Sequence, residues 1–181
     1  VPGSPQAFGE ALRADGAEVA AALPTDWLHG HGPTSERAVA LGLWALLSID
    51  EGAFTQDGTW NSISGVGDED DLIYATTTAT TSRSDVASLT FDIPRSGPVS
   101  VYAFVPWNYA TSAAAPLRMV DESGAEIFSA EINQAVEYDA WINTGVVWLE
   151  AGEEYTLEIA ANTGESSRTV AVDDFLIIQR R

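Results

Sequence analysis

Two groups of residues in this chain could do chemistry, and they call for different ligands. The first is acidic. Asp50, Glu51 and Asp57 lie around the first strand-like run, Asp173 and Asp174 lie inside the last one, and Asp68-Glu69-Asp70-Asp71 makes a third set. Calcium takes about six to eight oxygens in tolerant geometry, mixing carboxylates with backbone carbonyls. The acidic runs lack the loop spacing and the glycine of an EF-hand. The second group is aromatic. Trp107, Asn108 and Tyr109 follow Pro106 in a predicted loop. Sugar rings stack their C–H faces on exposed aromatic rings while nearby amides and hydroxyls orient the hydroxyl groups. Tyr138, between Glu137 and Asp139, is a smaller set of the same kind. Trp60, Trp141 and Trp148 fall in predicted strands and are expected in the core.

Other chemistry finds little support. His29 and His31 lie near Asp26 in a loop, but zinc wants three or four ligands and the chain has no Cys. No nucleophile elbow, phosphate-binding loop or HExxH motif occurs. Carboxylates are so many that paired acids need not mean glycoside hydrolysis. The chain is therefore expected not to be an enzyme.

Composition narrows the partners. Among 181 residues, 27 acids face 8 basic residues, all of them Arg, for a net charge of −19. That charge repels phosphate backbones and anionic lipid, so nucleic acid is excluded as a partner. The longest apolar run, Ala38 to Leu47, is too short to cross a bilayer, which takes about 20 residues. Membrane insertion is not expected. An acidic, Lys-free surface suits a saline setting, and the chain reads as the mature part of a secreted or cell-surface protein. Absence of Cys removes disulfides as a staple.

The elements that would position these residues change character near Asp50. Residues 1–50 are rich in Ala and Leu and predict a helical hairpin. Ser4 caps a helix from Pro5 to Gly16, and Thr34 or Ser35 caps a second helix running to Leu47. The second helix is apolar on every face and expects burial all round, against the sandwich or against a partner. From Ala53 the period becomes strand-like. Strands are predicted at 53–55, 59–63, 72–78, 86–93, 99–105, 117–121, 126–132, 141–149, 155–161 and 170–178, with Gly, Pro, Asn and Asp turns between them. Thr76 to Ser84 reads as an edge strand or a loop. The expected fold class is mostly β, a jelly-roll β-sandwich over residues 51–181 with a short helical N-terminal segment, 1–50, packed on it.

The order of pieces also resembles a known family. Gly58-Thr59-Trp60-Asn61-Ser62, Gly97-Pro98-Val99-Ser100-Val101-Tyr102, Ala140-Trp141-Ile142-Asn143-Thr144-Gly145, Glu150-Ala151-Gly152 and Val172-Asp173-Asp174-Phe175-Leu176-Ile177 carry the likeness. Over about residues 52–178 the chain resembles the golvesin C-terminal-like domain, which is also appended to xanthan-lyase-type secreted enzymes. The resemblance implies a galactose-binding-like jelly roll of the carbohydrate-binding-module kind. It also implies a structural calcium that ties the first strand to the last, through Glu51 or Asp57 and Asp173 or Asp174. The family tends to carry a basic residue early in the loop after Pro106, whereas this chain has Asn108 and Tyr109 and no Arg before Arg118.

Together these features predict a non-catalytic extracellular module that binds polysaccharide or cell-surface glycan through Trp107, Asn108, Tyr109 and Tyr138. The alternative is a structural subunit of a filament, coat or surface layer. It would self-associate through residues 38–47 and pair through the Thr76–Ser84 edge.

Overall fold

Alternation of apolar and polar side chains governs most of the chain. The structure, a computed structural model, describes residues 44–49, 51–67, 71–80, 82–83, 85–137 and 139–179. Its strands in chain order are β1 (Trp44–Ile49), β2 (Thr55–Asp57), β3 (Asn61–Ser64), β4 (Asp71–Thr76), β5 (Val86–Asp92) and β6 (Gly97–Val105). They continue with β7 (Ala115–Asp121), β8 (Glu126–Ile132), β9 (Ala140–Leu149), β10 (Glu154–Ala160), β11 (Thr169–Val172) and β12 (Phe175–Gln179). All pairs are antiparallel. Three sheets result, with strand orders β1-β12-β6-β9, β2-β5-β10-β7-β8 and β11-β4-β3.

The sheets enclose one main core. In β10, Tyr155, Leu157 and Ile159 are buried while Thr156 and Glu158 face outward, the pattern of a strand with one dry face. Val99, Val101, Ala103 and Val105 of β6 and Phe175 and Ile177 of β12 enter from the four-stranded sheet. Phe54 closes on Phe175, with ring centroids 5.5 Å apart. On the outer face of the five-stranded sheet, Arg83 and Arg118 both donate to Glu158 Oε2, at 3.0 and 2.7 Å. Burial pulls Arg83 below its usual basicity, the neighbouring Arg118 adds to that, and Glu158 works against both.

Three expectations are corrected here. The apolar run thought to end a helix at Leu47 is instead β1 from Trp44 on, paired with β12 from Trp44 opposite Gln179 to Ile49 opposite Phe175. Short apolar runs look alike as buried helix or buried strand, and β12 supplies a ladder that needs a partner on that side. The rest of the expected hairpin, with His29 and His31, lies outside the described residues, as do Asp68–Asp70 and Tyr138.

The last predicted strand is also two. β11 pairs with β4 in the small sheet and β12 pairs with β1 and β6 in the four-stranded sheet. Asp173 and Asp174 form the joint where the chain crosses between them. Finally, Trp148 is not a core residue but 61% exposed, and its Nε1 donates to Glu150 Oε1 at 2.8 Å. Val146, two residues earlier on the same face of β9, is exposed as well. Trp148→Thr is expected to change unfolding stability by less than about 0.5 kcal/mol, with the urea midpoint as readout.

The Thr76–Ser84 patch is not an open edge where it is described. β4 ends at Thr76, and the Thr77 and Thr78 amides donate to Arg168 O and Ala161 O at 2.9 and 3.2 Å. Asn162 Nδ2 donates to Thr78 Oγ1 at 3.0 Å.

Candidate functional site

The aromatic loop is displayed by β6. That strand runs buried on both faces to Val105, and Pro106 is buried as well. Pro106 ends the ladder because it has no N–H to donate. Trp107 then turns outward and is 65% exposed, while Asn108 and Tyr109 are half-buried. Tyr109 holds a positive φ of 61°. Its ring lies on Tyr74 of β4, with centroids 4.5 Å apart and a 31° angle between planes. Trp107 therefore does not fold back into the sandwich end.

The chain after Tyr109 is tied down. Thr111 and Ser112 amides donate to Thr169 O at 3.0 and 2.9 Å, and the Thr111 and Thr169 hydroxyls lie 3.0 Å apart. Ser112 Oγ donates to Glu165 Oε2 at 2.5 Å and the Ala113 amide to Glu165 Oε1 at 3.1 Å. The Ala135 amide donates to Ser112 O at 3.0 Å. A loop already fixed in this way loses little conformational freedom on binding.

The Glu165 clasp is acid-sensitive. The Ser112 hydroxyl, then the Ala113 amide, hold the Glu165 carboxyl below the usual carboxylate range, partly opposed by desolvation. A lowered folded-state pKa means that the contribution is fully present above the unfolded value, about 4.3 for Glu. It is lost as pH falls through the folded one. In an acid titration, protection of the Ala113 amide relative to its intrinsic exchange rate is expected to drop as pH falls below the ordinary Glu range. Glu165→Gln should remove that pH step.

The acidic group assembles at the same end of the four-stranded sheet. Glu51 lies in the single 3-10 turn Glu51–Ala53 that follows β1, and Asp173-Asp174 immediately precede β12. Ile49 opposite Phe175 aligns the two strand ends. One carboxylate oxygen from each of Glu51, Asp173 and Asp174 lies within 4.8 Å of the others. Asp173 and Asp174 are 1% and 5% exposed. The Phe104 amide donates to Asp174 O at 2.8 Å, three residues before Trp107. The same β6 segment thus anchors the acidic joint and leads into the aromatic loop.

Gly67 presses its backbone against this cluster. Its φ is +105°, and a Cβ there would meet Asp173 Oδ2 and Asp71 O at 2.6 Å each. An all-oxygen set of three carboxylates, two of them buried and closely cradled, has the donor chemistry of a hard divalent cation. Like charges at this spacing repel, and a cation offsets that repulsion. Asp57 is not among them. It is exposed on β2, opposite Val86, in the five-stranded sheet. Two other tryptophans, Trp141 and Trp60, serve the fold. Trp141 is buried against Phe104, with centroids 5.6 Å apart, and Trp60 is half-buried with Nε1 donating to Asp57 O at 3.2 Å.

Two participants were not singled out from sequence. Tyr74 looked like one more strand residue. Only the register that brings β4 beside β11 shows it beneath Tyr109. Gly67 carried one weak signal, the Gly65-Val66-Gly67 pair just before the acidic run. A groove of about 350 Å³ also exists on the five-stranded sheet, lined by Arg83, Arg118, Glu126, Ser129 and Glu131 among others. Among the described residues no aromatic side chain lines it.

The sandwich, with its aromatic loop and acidic joint at one end, can be set beside known proteins. The Golvesin C-terminal domain model matches residues 46–178. The chain belongs to that family. No curated protein matches it. Among solved structures, this Golvesin C-terminal domain resembles the xanthan lyase of Paenibacillus, with TM-score 0.59 and 19% identity over 73% of this chain. It spans only 13% of that lyase. It also resembles the C-terminal CBM6 of the marine laminarinase LamC from Zobellia galactanivorans, with TM-score 0.53 and 10% identity, covering 74% of this chain and 98% of that one. A third is the carbohydrate-binding module CBM6cm-2 of Cellvibrio mixtus lichenase 5A, solved with cellotriose. There the TM-score is 0.51 and identity 16%, over 76% of this chain and 99% of that module. At these identities the likeness is one of fold. The Golvesin C-terminal domain is a sandwich of the carbohydrate-binding-module type. Among its described residues no helix is long and apolar enough to cross a membrane.

Proposed function

We propose that this domain is a non-catalytic module that attaches to polysaccharide or cell-surface glycan outside the cell. The observation that carries the reading is the 65% exposure of Trp107 at the tip of a loop fixed by hydrogen bonds on its far side. An indole held in water by a rigid loop invites a flat, weakly polar partner, which a sugar ring supplies. Asn108 offers an amide beside it, and Tyr109, braced by Tyr74, offers a second ring edge. Modules covering nearly the whole of their own chains share the fold, which supports a binding role over a catalytic one.

The companion proposal is a structural calcium at Glu51, Asp173 and Asp174. It would hold the end of β1 against the joint between β11 and β12, and through the Phe104 amide steady the start of the aromatic loop. Its part is to bind and stiffen.

The test is depletion. The protein is mixed with a panel of soluble and insoluble glycans in calcium or in EDTA, and the unbound fraction is measured. Saturable loss from solution onto one glycan class is the expected result. Reduced binding in EDTA would attach the metal to function. Absence of binding across the panel would overturn the glycan reading and favour a structural subunit.

A further inference from the structure

The groove on the outer face of the five-stranded sheet has a floor built in register. Glu158 of β10 stands opposite Arg118 of β7, and Arg118 stands opposite Ser129 of β8. Two residues along on the same face, half-buried Pro116 stands opposite Glu131. Arg83, from the segment before β5, and Glu126, which opens β8, complete the lining that matters here. The space of about 350 Å³ lies at the lower end of the range for small-ligand pockets.

Its charges run against those of the chain. In a protein of net charge −19, two of the 8 basic residues meet in this one groove. Both lean on a single oxygen, Glu158 Oε2, Arg83 through Nη2 and Arg118 through Nε. One carboxylate thus serves two half-buried guanidiniums. Each guanidinium has five N–H donors to place. Arg83 Nε is buried with no hydrogen-bond partner. The Arg118 bond to Glu158 leaves its two terminal nitrogens unbonded among the described residues. Burial first, and then the like charge of Arg118, hold Arg83 below its usual basicity. A second anion would offset both effects. The other polar groups of the lining, Glu126, Glu131 and the Ser129 hydroxyl, are acceptors.

We infer that this groove is a second sugar site, taking an acidic sugar residue whose anionic group lies on Arg83 and the terminal nitrogens of Arg118. The ring's hydroxyls then donate to Glu131, Glu126 and Ser129, and its C–H face rests on Pro116. The argument is one of matching the whole set. A neutral sugar would leave the guanidiniums as they are. A run of acidic side chains brings charge without hydroxyls, and meets Glu126, Glu131 and the net negative charge of the protein. One anionic group on a ring of hydroxyls satisfies donors and acceptors together, and a bond from a guanidinium to an anion is about twice as strong as a neutral one. A uronic acid and a sulfated sugar share that chemistry. The site is separate from the Trp107 loop, and the inference stands whether or not that loop binds.

The test is an NMR titration of the full chain in about 0.15 M salt, which screens distant charges. Two probes are used, an oligosaccharide of alternating glucose and glucuronic acid and a glucose oligosaccharide carrying sulfate esters. The Nε–H signals of Arg83 and Arg118 and the amide of Ser129 should shift saturably with at least one, and the tighter probe names the acid group. The carboxyl-reduced, neutral form of the first should leave those signals in place. Arg118→Gln should weaken binding about 10-fold or more. Glu158→Gln should strengthen it, because it frees both guanidiniums; a groove that matters only for the fold would lose binding there instead. Trp107→Ala should leave the groove shifts intact, which separates this site from the aromatic loop. If either groove variant unfolds, the comparison of acidic and neutral probes on the parent decides alone. No shift at the groove with either acidic probe would overturn the inference, as would equal shifts with the neutral form. Equal binding of a short glutamate peptide would also overturn it, and would assign the groove to an acidic protein segment.

Discussion

Trp107→Ala is expected to cost at least about 2 kcal/mol of glycan binding, roughly 30-fold in affinity, while leaving the unfolding midpoint unchanged. Both halves follow from one fact. The indole is 65% exposed, so its removal opens no cavity and forfeits little burial. The loop behind it keeps its Thr169 and Glu165 bonds, so a loss of binding would report the lost stacking surface and not a collapsed loop. The paired measurement is depletion or calorimetric titration on a binding glycan, together with urea unfolding. Unchanged affinity would move the contact elsewhere, and the exposed Trp148 would be next. Lost stability would make Trp107 a packing residue.

Gly67→Ala is expected to destabilise the fold by about 3 kcal/mol, against about 1 kcal/mol for Gly65→Ala. Both positions have positive φ, +105° and +81°, and so share the strain of a side chain in that region. They differ in space. Nothing lies within 4 Å of a Cβ at Gly65, whereas at Gly67 it strikes the Asp71 carbonyl and the Asp173 carboxylate at 2.6 Å. Backbone cannot swing aside as a side-chain tip can, so the acidic joint would have to open. The difference between the two variants isolates that close approach. Calcium adds a second reading. At about 100 times its dissociation constant a bound ion contributes about 2.7 kcal/mol. Thermal unfolding of the parent should rise with calcium and fall back in EDTA, while Gly67→Ala should respond far less. A parent indifferent to calcium would leave the three carboxylates as a structural joint without metal.

Much of this was legible in the residues, and what was not has physical causes. The sandwich followed from alternation such as Tyr155, Leu157 and Ile159 against Thr156 and Glu158. Trp107 read correctly as a loop residue because Pro106 and the Ala-rich stretch after it end the period. The run from Val170 to Ile178 read as one strand because both halves are apolar. Only the pairing of Val172 with Ile73, and of Phe175 with Ala103, reveals that it serves two sheets. The same long-range pairing turned Trp44–Leu47 from expected helix to strand. Trp148 misled for another reason, since alternation tells which residues share a face but not which face a neighbour covers. Glu51 lies beside Asp173 and Asp174, while Asp57, grouped with them from sequence, does not, because β2 is committed to Val86 through Ser88 on the far sheet.

The position of β12 also bears on how the molecule is made. It is central in its sheet, between β1 and β6, yet it is the last of the described strands to leave the ribosome. Until then β1 lacks its β12 ladder and β6 lacks one side, so the four-stranded sheet cannot close. β1 must wait for β12, and a contact as distant as Trp44 with Gln179 is slow to form. A nascent chain stalled before Phe175 should therefore be open to protease, and become resistant only once Gln179 has emerged.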